Sequence, residues 1–173
     1  MSSSHVAAGI RSNPTFRLPK EGGTPVLMIA GGCGIAPIRA FLEERIALSG
    51  SSGFGKGHLY LGFRSPSDEV YRPLIQQAQD CGYITDVKVT YSTGCTSPAL
   101  VSTTVRENGA EVFALLHDGG YVYMCGGARA FGAAVEREIL EVFQEHGKMT
   151  LEEATDYLRN LISEGRLCED LAD

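Results

Sequence analysis

Gly31, Gly32, Cys33, Gly34, Ile35, Ala36 and Pro37 follow directly on an apolar run from Val26 to Ala30. Three glycines in four positions let a backbone come close to a bulky anion. A helix opening near the proline would add free amides and the positive end of its dipole. The chemistry that suits this arrangement is retention of a diphosphate. A single glycine turn after a strand serves equally well as a tight connection, so it needs a companion. The companion is Tyr121 to Met124 followed by Cys125, Gly126, Gly127 and Ala128, a second apolar run that ends in glycine before a second helical pattern. In an open parallel sheet, two such strand ends flanking the reversal of strand order make the crevice in which a dinucleotide lies.

Other reactive side chains are dispersed. The five cysteines (Cys33, Cys81, Cys95, Cys125 and Cys168) are odd in number and include no C-x-x-C pair. The four histidines, His5, His58, His117 and His146, lack ligand spacing. Reduced thiols are expected, with no metal site. Judged by residue type alone, the alternatives to a functional role are Cys125 as a small buried strand residue, Arg64 as a surface ion-pair partner, and Asp170 as part of a solvated acidic end with Glu169 and Asp173.

The elements that must position these groups alternate along the chain. Val26 to Ala30, Leu59 to Gly62, Val87 to Tyr91 and Tyr121 to Cys125 read as buried strands. Between and after them lie helical patterns at Pro37 to Leu48, Val70 to Asp80, Pro98 to His117 (whole or broken) and Ala128 to His146. Thr150 and Glu153 form a capping box for a last helix that stops near Gly165, and a tail from Arg166 to Asp173 follows it. Ser49 to Gly53 reads as a solvated loop. Residues 1–24, rich in Ser, Gly and Pro, read as a lead-in or inter-domain segment, leaving 25–173 as one nucleotide-binding domain. Parallel crossovers need connections long enough for a helix, so this order predicts an α/β class with helices on both faces of the sheet.

With 173 residues, 43% of them hydrophobic, the chain can bury one ordinary core. Its formal net charge of -6 argues against nucleic-acid or anionic-membrane partners, and no apolar run reaches the roughly 18 residues of a membrane span. A soluble domain on the cytoplasmic side is expected, within a parent protein that could be anchored through another segment.

The ordered succession of motifs resembles the nucleotide domain of the ferredoxin-NADP reductase superfamily, in its diflavin branch. That branch comprises NADPH-haemoprotein reductases of the cytochrome P-450 reductase type, sulfite reductase flavoproteins and nitric oxide synthase reductase domains. The residues that carry the resemblance are Phe16 to Pro19; Gly34 to Pro37 with Arg39 and Phe41 to Arg45; Gly62 to Ser65 with Asp68, Tyr71 and Arg72; Arg106 to Gly109; Tyr121 to Gly126; and Tyr157 with Gly165 and Arg166. They extend from about Phe16 to Leu171. The resemblance implies a doubly wound (Rossmann-like) five-stranded parallel sheet with helices on both faces.

It also implies roles. Gly31 to Pro37 correspond to the diphosphate loop, Arg64 to the arginine that reaches the cofactor's phosphates, and Cys125 to the thiol beside the reacting nicotinamide. Asp170 corresponds to the acidic residue that assists hydride transfer. Ser92, Thr93 and Ser102 fall in the loop that recognises the adenosine 2'-phosphate, while Gly126, Gly127, Phe131 and Ala172 complete the expected cofactor-binding set.

Three departures modify these expectations. The family's Gly-Thr-Gly reads Gly32, Cys33, Gly34, exchanging a strong hydroxyl donor for a weak thiol. In the 2'-phosphate loop Ser92 remains, but Thr93, Pro98 and Leu100 stand where the family has Arg, Lys and Tyr. NADP(H) is therefore the expected cofactor, with NAD(H) open. Ala172 replaces an aromatic ring that covers the flavin, which implies slower release of the oxidised dinucleotide. Flavin-binding motifs are absent upstream of Phe16, so FAD and FMN are expected on other domains of the parent protein, together with a downstream electron acceptor such as a haem protein. The isolated chain is then expected to be inactive. The competing reading is a non-catalytic nucleotide-binding or interaction module on the same fold.

Overall fold

A computed structural model describes residues 13–48 and 54–172. The proposed loop at 49–53 and the first half of the lead-in, residues 1–12, lie outside the described residues, as does Asp173.

Five strands, β1 (Val26–Gly31), β2 (Gly57–Phe63), β3 (Ile84–Tyr91), β4 (Tyr121–Gly127) and β5 (Leu167–Ala172), form one sheet in the order β3-β2-β1-β4-β5. Every pairing is parallel. β1 is central and buried on both sides, which is why it reads as an unbroken apolar run. One core lies between the sheet and α3 (Val101–Glu107), α4 (Gly109–His117), α5 (Ala133–Gly147) and α6 (Leu151–Ser163). The other lies under α1 (Ile35–Ala47) and α2 (Arg72–Asp80). The doubly wound five-stranded architecture is present.

Several boundaries differ from the periodicity, each for a local reason. α1 starts at Ile35, after a 3-10 turn over Gly32–Gly34, so Pro37 falls within its first turn. α2 begins at Arg72 because Tyr71 adopts a left-handed conformation (φ 62°), and Val70 lies outside it. The helical pattern from Pro98 divides at Asn108 into α3 and α4, with Pro98 excluded. The tail after α6 is the edge strand β5, with Val122 paired to Leu167 and Cys125 to Asp170. Thr150 and Glu153 do cap α6: the Glu153 amide donates to Thr150 Oγ1 at 3.3 Å and the Thr150 amide to Glu153 Oε2 at 2.8 Å.

The described part of the lead-in packs on the α1 face. Phe16 stacks on Phe41 with centroids 5.2 Å apart and meets Tyr123 edge-on at 5.3 Å. Tyr123 donates its hydroxyl to the Arg17 carbonyl at 2.6 Å, and the buried Arg45 guanidinium donates to the Pro19 carbonyl at 2.9 Å.

Candidate functional site

The reversal of strand order falls between β1 and β4, and their glycine ends meet there. A Cβ on Gly34 would lie 2.1 Å from the carbonyl oxygen of Cys125, so only glycine lets the first loop rest on the second strand. Gly32 has a left-handed φ of 55°, and the positions a Cβ would take at Gly32 and Gly127 face open space. The glycines therefore divide their work. Gly34 seals the loop to the sheet, while Gly32 and Gly127 keep backbone accessible above the strand ends.

Between the two turns lies Phe131. A Cβ on Gly31 would approach its ring to 2.7 Å, and one on Gly126 to 2.6 Å. A single turn of π-helix over Ala128–Gly132, just before α5, aims the ring into that gap.

Three clefts open along the carboxyl ends of the strands. The first, about 270 Å³, is mainly apolar and brings together Gly31, Arg64, Ser92, Ser102 and Phe131 with Gly62, Leu100 and Ala134. The second, about 560 Å³, is lined by Cys33, Gly34, Pro37, Gly126, Gly127, Asp170 and Ala172, with Arg129. The third, about 430 Å³, holds Gly32, Cys33, Ile35, Ala36 and Arg64 beside Asp68 and Tyr71. Arg64 borders two of the three, as a side chain reaching phosphates between them would.

Two predicted residues stand apart from the clefts. Thr93 lines none of those described; its amide and hydroxyl both bond the Arg64 carbonyl. Cys125 lines none either, having 0% exposure. Burial, and next the nearby Asp170 carboxylate, push the Cys125 thiol far above its ordinary range, so it is a neutral thiol at physiological pH. Ile35 belongs to the third cleft through its backbone, since its side chain is in the core.

Arg106 and Arg129, the cations at hand to replace those absent from the 2'-phosphate loop, do not border the Ser92 cleft. Arg106 pairs with Glu138 at 3.8 Å and Arg129 lies in the second cleft. Leu100, which the sequence places in the 2'-phosphate loop, lines the first cleft, whereas Ala134 of the same cleft was missed by sequence reasoning. Leu100 is 58% exposed, a large apolar side chain beside Ser102.

A parallel sheet with glycine turns at its reversal point, open backbone above them and one arginine between clefts defines a dinucleotide-binding α/β domain. Residues 28–137 match the oxidoreductase NAD-binding domain family, and the chain belongs to that family. The sulfite reductase [NADPH] flavoprotein alpha-component of Salmonella typhi is 37% identical over 163 residues, covering 94% of this chain and 27% of that protein. The same component of Pectobacterium atrosepticum is also 37% identical over 163 residues, 94% of this chain and 26% of its own length. In Shigella boydii it is 36% identical over 163 residues, again 94% of this chain and 27% of that one. The chain thus spans about a quarter of the length of these curated relatives. No helix among the described residues is long and apolar enough to cross a membrane.

Proposed function

We propose that this chain is the NADPH-binding domain of a flavoprotein oxidoreductase, presenting nicotinamide to an FAD held on another domain. The observation that carries the reading is the contact of the two glycine turns at the sheet reversal, with Gly32 and Gly127 open above it. Gly31 to Pro37 would hold the diphosphate through amides and the start of α1, with Arg64 adding charge. The first cleft, apolar with Ser92 and Ser102 at its border, suits the adenosine. The second, with Asp170 and Ala172 on β5, suits the nicotinamide.

The bound dinucleotide supplies the hydride; the residues of this chain bind, orient and polarise. Asp170 stands in register with Cys125 at the end of β5, where its carboxylate would favour the positive charge that appears on a nicotinamide ring losing hydride. Cys125, wholly buried and neutral, would support the floor of that cleft from within the core and would not itself reach the ring. The flavin domains of the parent protein are the first partners, and a one-electron acceptor, a haem protein or another, lies downstream of them. Residues 1–24 would join this domain to those partners. Thr93, Pro98 and Leu100 leave the first cleft with Arg64 as its cation, which supports relaxed discrimination between NADPH and NADH.

Calorimetric titration with NADPH, NADH and 2',5'-ADP tests the reading. Binding of NADPH, with 2',5'-ADP competing for the same site, is expected. Absence of binding by all three would overturn it in favour of an interaction module.

A further inference from the structure

Away from the glycine turns, near the amino ends of β1 and β2, three side chains from distant parts of the chain converge. His58 of β2, Asp86 of β3 and Glu111 of α4 each bring one ligand-type atom within 4.8 Å of the others. His58 and Asp86 are partners across the two strands, with Nδ1 and Oδ2 3.8 Å apart. That gap is too long for a hydrogen bond, yet it is close to the roughly 3.4 Å between two ligands of a tetrahedral ion bound at about 2.1 Å. Asp86 Oδ2 is buried and accepts no hydrogen bond of good geometry, its charge being met by an ion pair alone. Lys88 Nζ approaches it at 3.0 Å and also lies 5.9 Å above the ring centre of Tyr60.

We propose that His58, Asp86 and Glu111 form a site for a divalent transition metal, with zinc as the reference ion, that fixes α4 to the β2–β3 edge. One imidazole and two carboxylates suit zinc better than magnesium, which favours oxygen ligands alone. With a neutral imidazole, the two carboxylates outweigh the Lys88 ammonium and leave the cluster negative. The exposed Glu111 would rotate to close on the other two ligands, and Lys88 would retreat over Tyr60, whose aromatic face accepts a cation. A cleft of about 500 Å³ lined by His58, Glu111, Lys56 and Asp118 gives the ion access and room for a water as fourth ligand. The spacing 58, 86, 111 carries no metal signature because each ligand comes from a different element. Only the parallel pairing and the placement of α4 bring them together.

The test is calorimetric titration of the full chain with zinc chloride and with magnesium chloride in a non-coordinating buffer, alongside the cobalt absorption spectrum. One zinc per chain is expected, with magnesium much weaker and cobalt showing d–d bands without thiolate charge transfer. Glu111→Gln should weaken zinc at least tenfold and His58→Gln should abolish its binding, each variant keeping the metal-free melting midpoint. Should His58→Gln fail to fold, Glu111→Gln decides alone, since its side chain is exposed. No zinc binding, unchanged affinity in Glu111→Gln, or a thiolate band placing the ion on cysteine would each overturn the proposal.

Discussion

Thr93 is bonded twice to Arg64: its amide reaches the Arg64 carbonyl at 2.7 Å and its hydroxyl the same oxygen at 2.9 Å. The turn after β3 is thereby tied to the end of β2, and the Thr93 hydroxyl is spent on backbone. Arg64 is left as the cation of the cleft that also holds Ser92 and Ser102.

A second cation beside Ser92 should therefore restore discrimination. Thr93→Arg is expected to raise the preference for NADPH over NADH by about 10- to 100-fold, the worth of one charge-assisted contact of roughly 1.5–3 kcal/mol. The amide bond to Arg64 survives the substitution. Calorimetry on both dinucleotides reads the ratio, and an unchanged ratio would place the adenosine phosphate away from this turn.

The glycines should separate by what they face. Gly34→Ala drives a methyl into the Cys125 carbonyl and is expected to cost at least about 1–3 kcal/mol in urea unfolding, as overpacking against backbone does. Gly127→Ala meets nothing within 4 Å and should leave the unfolding midpoint in place while weakening NADPH. Equal destabilisation by both would contradict the division of roles.

Thiol chemistry should follow burial. Cys33 is exposed in the glycine loop, whereas Cys125 is buried and held protonated. Maleimide at pH 7 is expected to label Cys33 in the native chain and Cys125 only in denaturant, with NADPH slowing the first reaction. Mass mapping of the labelled peptides decides it. Prompt labelling of Cys125 would mean that the strand end opens in solution.

The cap of α6 predicts a pH dependence. The Thr150 amide and hydroxyl hold the Glu153 carboxyl below its ordinary range. A carboxylate whose folded pKa is depressed contributes stability above the unfolded value, about 4.3, and loses it as pH falls through the folded one. Thr150→Ala is expected to lower the melting midpoint by about 2–4 °C at pH 7 and by clearly less at pH 2. Differential scanning calorimetry at the two pH values measures the gap.

Much of this molecule is legible from the chain because parallel strands buried on both faces leave unbroken apolar runs. Val26 to Ala30 and Tyr121 to Cys125 stand out for that reason, and the glycines after them mark close backbone approach. Leu167 to Ala172 does not stand out. It is an edge strand buried only at Leu167 and Cys168, and its exposed Glu169 and Asp170 make it look like a solvated tail. The burial of Cys125 is readable from its strand, but the Gly34 loop that rests on its carbonyl is not, since that contact is set by the tertiary fold. Nor does any periodicity announce the π-turn that aims Phe131, or the convergence of His58, Asp86 and Glu111, which depends on strand pairing.

The ring of Phe131 touches the glycine end of β1 on one side and that of β4 on the other. On the proposed binding mode the two strand ends would face different halves of the dinucleotide, which would make the ring a shared hinge pin. A change in its bulk would shift both walls of the crevice at once, and the adenosine and nicotinamide grips could not be tuned separately through this position. Selection for a different cofactor would have to act on side chains farther out, such as Thr93 and Leu100, where one half can change while the other keeps its shape.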